Sequence, residues 1–174
     1  SDELGDNLWA MRFRQAVAPC VQRRIADLRR WNEQQSRGAT NPLPANIGTP
    51  GSLTILDSVW DVSKAGQVVT KMPHETRRRY AAVYDLFENI ANFQRLEREV
   101  WFAIGDYGGL SRLSPSDRAR LNGLLLRAET YDDSLRALAP GILSDLARLK
   151  VEQPNEQLDL AALQKRDICK PLAP

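Results

Sequence analysis

The residues of this chain whose types suit chemistry are few and scattered. A serine triad needs an imidazole base, and the single histidine is His74. It stands beside Pro73 at an expected helix start, followed by Glu75 and Arg77-Arg78-Arg79. A surface histidine next to a helix cap accounts for it. Glu97 and Glu99 flank Arg98, and Asp132 adjoins Asp133. Such neighbours diverge around a helix, whereas acid–base work needs two carboxyl groups facing one substrate. There is no Glu-x-x-His pair for a di-iron bundle, no GxSxG elbow and neither GxxxxGK(S/T) nor GxGxxG for phosphate. Gly105, Gly108 and Gly109 fall where a helix should end, which explains them. No catalytic residue is therefore expected.

Cys20 and Cys169 lie near opposite ends of the chain, so they form no CxxC motif, and His74 has no second histidine. Neither a zinc site nor another metal or cofactor is expected. Two lone cysteines fit buried thiols in a reducing compartment. They fit equally a disulfide pinning the tail to the first helix.

The basic clusters are Arg23-Arg24, Arg29-Arg30 and Arg77-Arg78-Arg79. Arg23 and Arg30 share a helix face with Asp27 between them, four residues after Arg23, which describes a salt-bridged surface. Nucleic acid would want a continuous basic stripe with interleaved aromatics and is not the expected partner. Anionic lipid headgroups are a comparable alternative. Trp60 and Trp101 occupy helix faces that should be buried, and core packing explains them. A ligand pocket lined by Trp60, Tyr80, Tyr84 and Trp101 is the competing reading.

The chain has 174 residues, one domain's worth, and 43% of them are hydrophobic, enough for a sizeable core. Lys and Arg number 24 against 22 Asp and Glu, a formal charge of +2. That balance excludes a protein whose charge alone announces nucleic acid. No stretch approaches the 18 or so apolar residues of a membrane span.

Helical periodicity runs through most of the sequence. A first helix is expected over about residues 2–37, with Phe13, Val17, Cys20, Val21, Ile25, Leu28 and Trp31 on one face. Pro19 should kink or break it near residues 16–19, or open a new helix there. The breaker-rich stretch 38–51 reads as a loop that packs across the bundle or moves. A short helix follows over 52–65, capped by Ser52 or Asp57, then a short extended connector at 67–70. The second long helix spans 73–107. The third spans 115–150 and starts with Ser114 as N-cap, Pro115 at N1 and Asp117 in the first turn. Pro140-Gly141 should bend it. After a break at Pro154, a short helix is expected at 158–165, and then an extended tail, 166–174.

Three segments carry a resemblance. Ala18-Pro19-Cys20-Val21-Gln22-Arg23-Arg24-Ile25, residues 95–101 with Arg98-Glu99 and Trp101, and Ile168-Cys169-Lys170-Pro171-Leu172 resemble a group of uncharacterised Gram-negative bacterial proteins. Members of that group look like an N-terminal transmembrane helix followed by a helical periplasmic domain. The resemblance covers most of the chain, except residues 38–51 and 153–164. It implies that helix 1 continues upstream into an inner-membrane anchor. It also implies that Cys20 and Cys169 are partners on the oxidising side. It transfers no activity or ligand.

The expectation is thus an all-α single domain, 1–174, built as an elongated antiparallel bundle of three long helices plus short ones. Its expected role is that of a membrane-tethered periplasmic module that binds another envelope protein or senses a small ligand, without catalysis. Arg24, Trp60, Tyr80, Tyr84, Glu97, Arg98 and Trp101 are the candidate contact residues. One alternative is a cell-envelope enzyme with a site between the long helices, using Glu97, Arg98 and Arg24. The other is a cytosolic, Arg-rich nucleic-acid or protein adaptor with reduced cysteines.

Overall fold

Apolar side chains repeating every three or four residues must share a helix face, and burial of that face drives the helices together. A computed structural model describes residues 2–51, 53–151 and 158–172. It contains helices α1 (Asp2–Ser36), α2 (Ser58–Ala65), α3 (His74–Gly105), α4 (Pro115–Arg148) and α5 (Leu160–Gln164). Single 3-10 turns occupy Val68–Lys71 and Asp167–Cys169. The described residues are otherwise turns and irregular segments, with no strand among them. Helix α4 packs along both α1 and α3.

Most of the buried apolar side chains among the described residues fall into two cores. One contains Leu4, Leu8 and Met11 of α1, Val83, Phe87 and Ile90 of α3, and Leu135, Ile142 and Leu146 of α4. The other contains Val17, Val21, Ile25 and Leu28 of α1, Val100, Trp101 and Ile104 of α3, and Leu121, Leu125 and Ala128 of α4. Each long helix therefore passes from one core to the other, and each carries a buried polar group at the crossing.

Local chemistry sets the element ends. Ser114 Oγ accepts the Asp117 N–H at 3.1 Å and caps α4, with Pro115 at its first position. Helix α1 is not divided at Pro19. Burial of Val17, Ala18, Cys20 and Val21 on either side outweighs the local cost of about 3 kcal/mol. Helix α4 likewise continues through Pro140-Gly141. Residues 53–57 are not helical, and α2 begins only at Ser58. The cause is a clamp from α1. The Asn7 amide donates to Leu56 O at 2.7 Å and accepts the Leu56 N–H at 2.8 Å, holding that residue out of a helix. Asp57 makes no side-chain cap. Instead Glu3 Oε2 accepts the Val59 N–H at 2.8 Å and the Ser58 hydroxyl at 3.1 Å, placing an acid at the α2 N-terminus from another helix. Ser52, the alternative cap, and the Pro154 break lie outside the described residues, as do residues 173–174.

The connector at 67–70 is not extended. Gln67 takes a left-handed φ of 57° and leads into the 3-10 turn. The long loop packs: Leu43 and Ile47 are buried. Leu43 pairs with the α3–α4 connection through Leu43 N–H to Leu110 O (3.0 Å) and Gly109 N–H to Leu43 O (3.1 Å). The tail also departs from an extended course. Cys169 lies 4.6 Å from Cys20, Cα to Cα, and the two are joined as a disulfide. That distance is normal for a bridged pair. Ile168 is buried beside the bridge.

Two glycines differ in the space around them. A Cβ on Gly108 would collide with the Ala45 carbonyl, whereas one on Gly123, on an exposed face of α4, would meet nothing within 4 Å. Gly108→Ala should lower stability by about 1–3 kcal/mol through overpacking. Gly123→Ala should raise it by about 1 kcal/mol through helix propensity. Urea unfolding of the two variants checks the opposite signs.

Candidate binding site and the buried polar layer

Between the two cores lies a charged layer drawn from three helices. Arg14 of α1 is 3% exposed, Glu97 of α3 is 3% exposed and Asp132 of α4 is 1% exposed. The Arg14 Nη2 donates to Glu97 Oε1 and to Asp132 Oδ1, both at 2.6 Å. Asp132 Oδ2 also accepts from Gln22 at 3.2 Å and from Arg136 Nε at 3.1 Å. Arg14 keeps its Nε and Nη1 buried without partners among the described residues. The divergence expected along the chain is real: Glu99 turns out to Arg95, and Asp133 to Arg136. The convergence occurs between helices, where Glu97 and Asp132 meet on one guanidinium.

Arg24 belongs to a different place. Its guanidinium donates to three backbone carbonyls: Ile47 at 2.5 Å, Asp167 at 2.7 Å and Lys170 at 2.5 Å. It ties the long loop and the tail to α1 next to the disulfide. Arg23 supports the same tail through Cys169 O at 3.2 Å. The salt bridge to Asp27 comes from Arg30, at 3.4 Å, and not from Arg23.

The aromatic candidates separate. Trp60 stacks with Tyr84 at 5.0 Å and Tyr80 at 6.1 Å between centroids, at the end of the fold where α1 starts. Tyr84 donates its hydroxyl to Glu3 Oε1 at 2.6 Å. Burial and that carboxylate push the Tyr84 hydroxyl far above its usual value. Trp101 sits in the other core, so these four rings do not line one pocket.

One face of α3 does border a pocket of 170 Å³. Gln94, Glu97, Arg98, Trp101 and Phe102, at helical spacing, face residues 49–51 of the long loop. Of the polar trio expected for an enzyme, Glu97 and Arg98 meet here and Arg24 does not. Arg14, Gln94 and Phe102 are not among the site residues expected from the sequence, and Asp132 is expected only as Asp133's neighbour. The available signal was a charge within each apolar stripe: Arg14 between Met11 and Val17, Glu97 between Ile90 and Val100, Asp132 between Ala128 and Leu135.

Comparison with protein-family models, with curated proteins and with solved structures gives no match to this chain.

Among the described residues, no group of three or more His, Cys, Asp or Glu side chains is placed to hold a metal. His74 is the exposed first residue of α3. No helix of the described residues is long and apolar enough to cross a membrane.

The layer has a pH signature. Burial pushes the Glu97 carboxyl above its ordinary value; Arg14 opposes this and Asp132 reinforces it. The folded state then holds a proton that the unfolded state has released. Stability from this group is complete below the ordinary carboxyl value and falls as pH rises towards the raised one. Glu97→Gln should remove that slope. Urea midpoints of wild type and variant, followed from acid to neutral pH, should show the wild type's relative stability declining with pH.

Proposed function

We propose that this chain is a binding module of an oxidising compartment, tethered to the inner membrane on the periplasmic side of a Gram-negative envelope. Its partner is another envelope protein or a small ligand, and it performs no catalysis. In this reading its architecture is an elongated antiparallel bundle of three long helices. The two cores support that arrangement, since α1 and α3 traverse them in one order and α4 in the reverse order.

The observation carrying the proposal is the pairing of Cys20 with Cys169, flanked by Arg24 and Arg23, which hold the tail backbone in register. Structural disulfides persist outside reducing compartments. Binding is favoured over chemistry because the buried charges already face one another or the backbone, which suits rigid positioning more than proton transfer. Tethering is supported at the end where Glu3 meets α2. Val59, Val62 and Val68 are exposed there, with Lys64 and Lys71 among them. Apolar and cationic side chains together suit the interface of an anionic bilayer.

The test is cell fractionation. In cells that make the protein, it should stay with the membrane pellet and be cleaved by protease added to spheroplasts. Recovery in the cytosol, protected from that protease, overturns the proposal.

A further inference from the structure

The pocket on α3 has an unfilled polar demand. Trp101 lines the pocket and keeps its indole N–H buried with no hydrogen-bond partner among the described residues, and the Gln94 amide on the same wall makes no hydrogen bond to another described residue. A buried donor without a partner is costly and calls for one. Arg98, exposed at the pocket edge, has no ion-pair partner among the described residues; Arg77 of the same helix also has none, whereas Arg78, Arg79 and Arg95 each have one. Behind the loop wall, Arg166 abuts Gly51 and lies 5.1 Å from the Phe13 ring, also without an acidic partner among the described residues. Glu97, the acid at the pocket, is already engaged by Arg14. The charge left over is positive.

The remaining surface is apolar. Phe102 is 64% exposed, a large ring left in water beside the pocket, and Pro50 faces it from the loop. A cavity of about 150 Å³ accepts one benzene ring, so 170 Å³ suits a single ring or branched alkyl group. Recognition by one cation, one amide and an apolar wall is the usual chemistry of a small-molecule site.

We propose that this pocket binds a small carboxylic acid bearing an aromatic or branched aliphatic group. Its carboxylate meets Arg98 and the Gln94 amide, and its apolar end lies between Phe102 and Pro50. This deepens the binding reading and rests on it, though it is independent of where the protein resides.

The probes are phenylacetate and benzylamine, which share a ring and differ in charge. Each is titrated into the 15N-labelled, disulfide-intact full chain, with the Trp101 indole N–H followed by NMR. Phenylacetate should give a saturable shift, and benzylamine should bind at least about tenfold more weakly, the scale of one charge-assisted contact. Arg98→Gln, a surface change that should leave the unfolding midpoint intact, should weaken phenylacetate about tenfold. Phe102→Ala should weaken both probes. The proposal is overturned if phenylacetate gives no saturable shift, if benzylamine binds as tightly, or if Arg98→Gln leaves the phenylacetate affinity unchanged. None of these outcomes bears on the fractionation result, so the two proposals fail separately.

Discussion

Replacing Arg14 with methionine should destabilise the fold by about 3–5 kcal/mol, the cost of leaving buried charge uncompensated. The guanidinium bridges Glu97 and Asp132 at 2.6 Å each, and all three groups are nearly inaccessible to water. Asp132 would retain Gln22 and Arg136. Glu97 loses the one hydrogen-bond partner it has among the described residues and would take up a proton. The loss should therefore grow as pH rises, because ionised Glu97 has nothing to pair with. The triple change Arg14→Met, Glu97→Leu, Asp132→Leu should recover most of the loss, since apolar residues of similar volume replace a buried ion network at little cost. Urea unfolding with the disulfide intact measures both. If the single variant unfolds at the wild-type midpoint, the layer contributes nothing to the fold. The layer brings one charge from each long helix to a single level.

The second large effect concerns the bridge. Cys20→Ala with Cys169→Ala frees a loop whose ends are 149 residues apart. The chain-entropy model places the loss near 5 kcal/mol, with about 2–4 typical of measured bridges. Its structural consequence should be local. The tail is held by the disulfide, by the Arg24 contacts to Asp167 and Lys170, and by the burial of Leu163 and Ile168. The main bundle has its own two cores. Amide exchange should therefore accelerate first across residues 160–170, while the α3–α4 contact keeps its protection. Uniform acceleration through α3 and α4 would mean that the bridge supports the whole fold.

The long helices were legible because their signal is local. Apolar spacing marks α1, α3 and α4, and Ser114-Pro115 with Asp117 marks one start to the residue. What escaped depends on partners distant in sequence. Nothing near residue 57 announces that α2 must wait until Ser58, because the clamp and the cap come from Asn7 and Glu3. Arg24 reads as one of a basic pair, yet its three acceptors are backbone carbonyls, which carry no side-chain signature. Glu97 and Asp132 were visible only beside divergent neighbours, although their positions within the buried stripes held the clue. The tail's 3-10 turn follows from the bridge and Arg24 together, and neither constrains residues 167–169 in a local window.

Free-thiol counting bears most directly on the account as a whole. The protein, taken from the cells that make it without reductant, is unfolded in excess iodoacetamide and weighed intact. A mass lower than the dithiol form by two hydrogens, with no added carbamidomethyl group, is the result expected of a chain whose tail is fastened to α1. Two carbamidomethyl groups per chain would show Cys20 and Cys169 reduced in place, contradicting both the bridge and the compartment inferred from it.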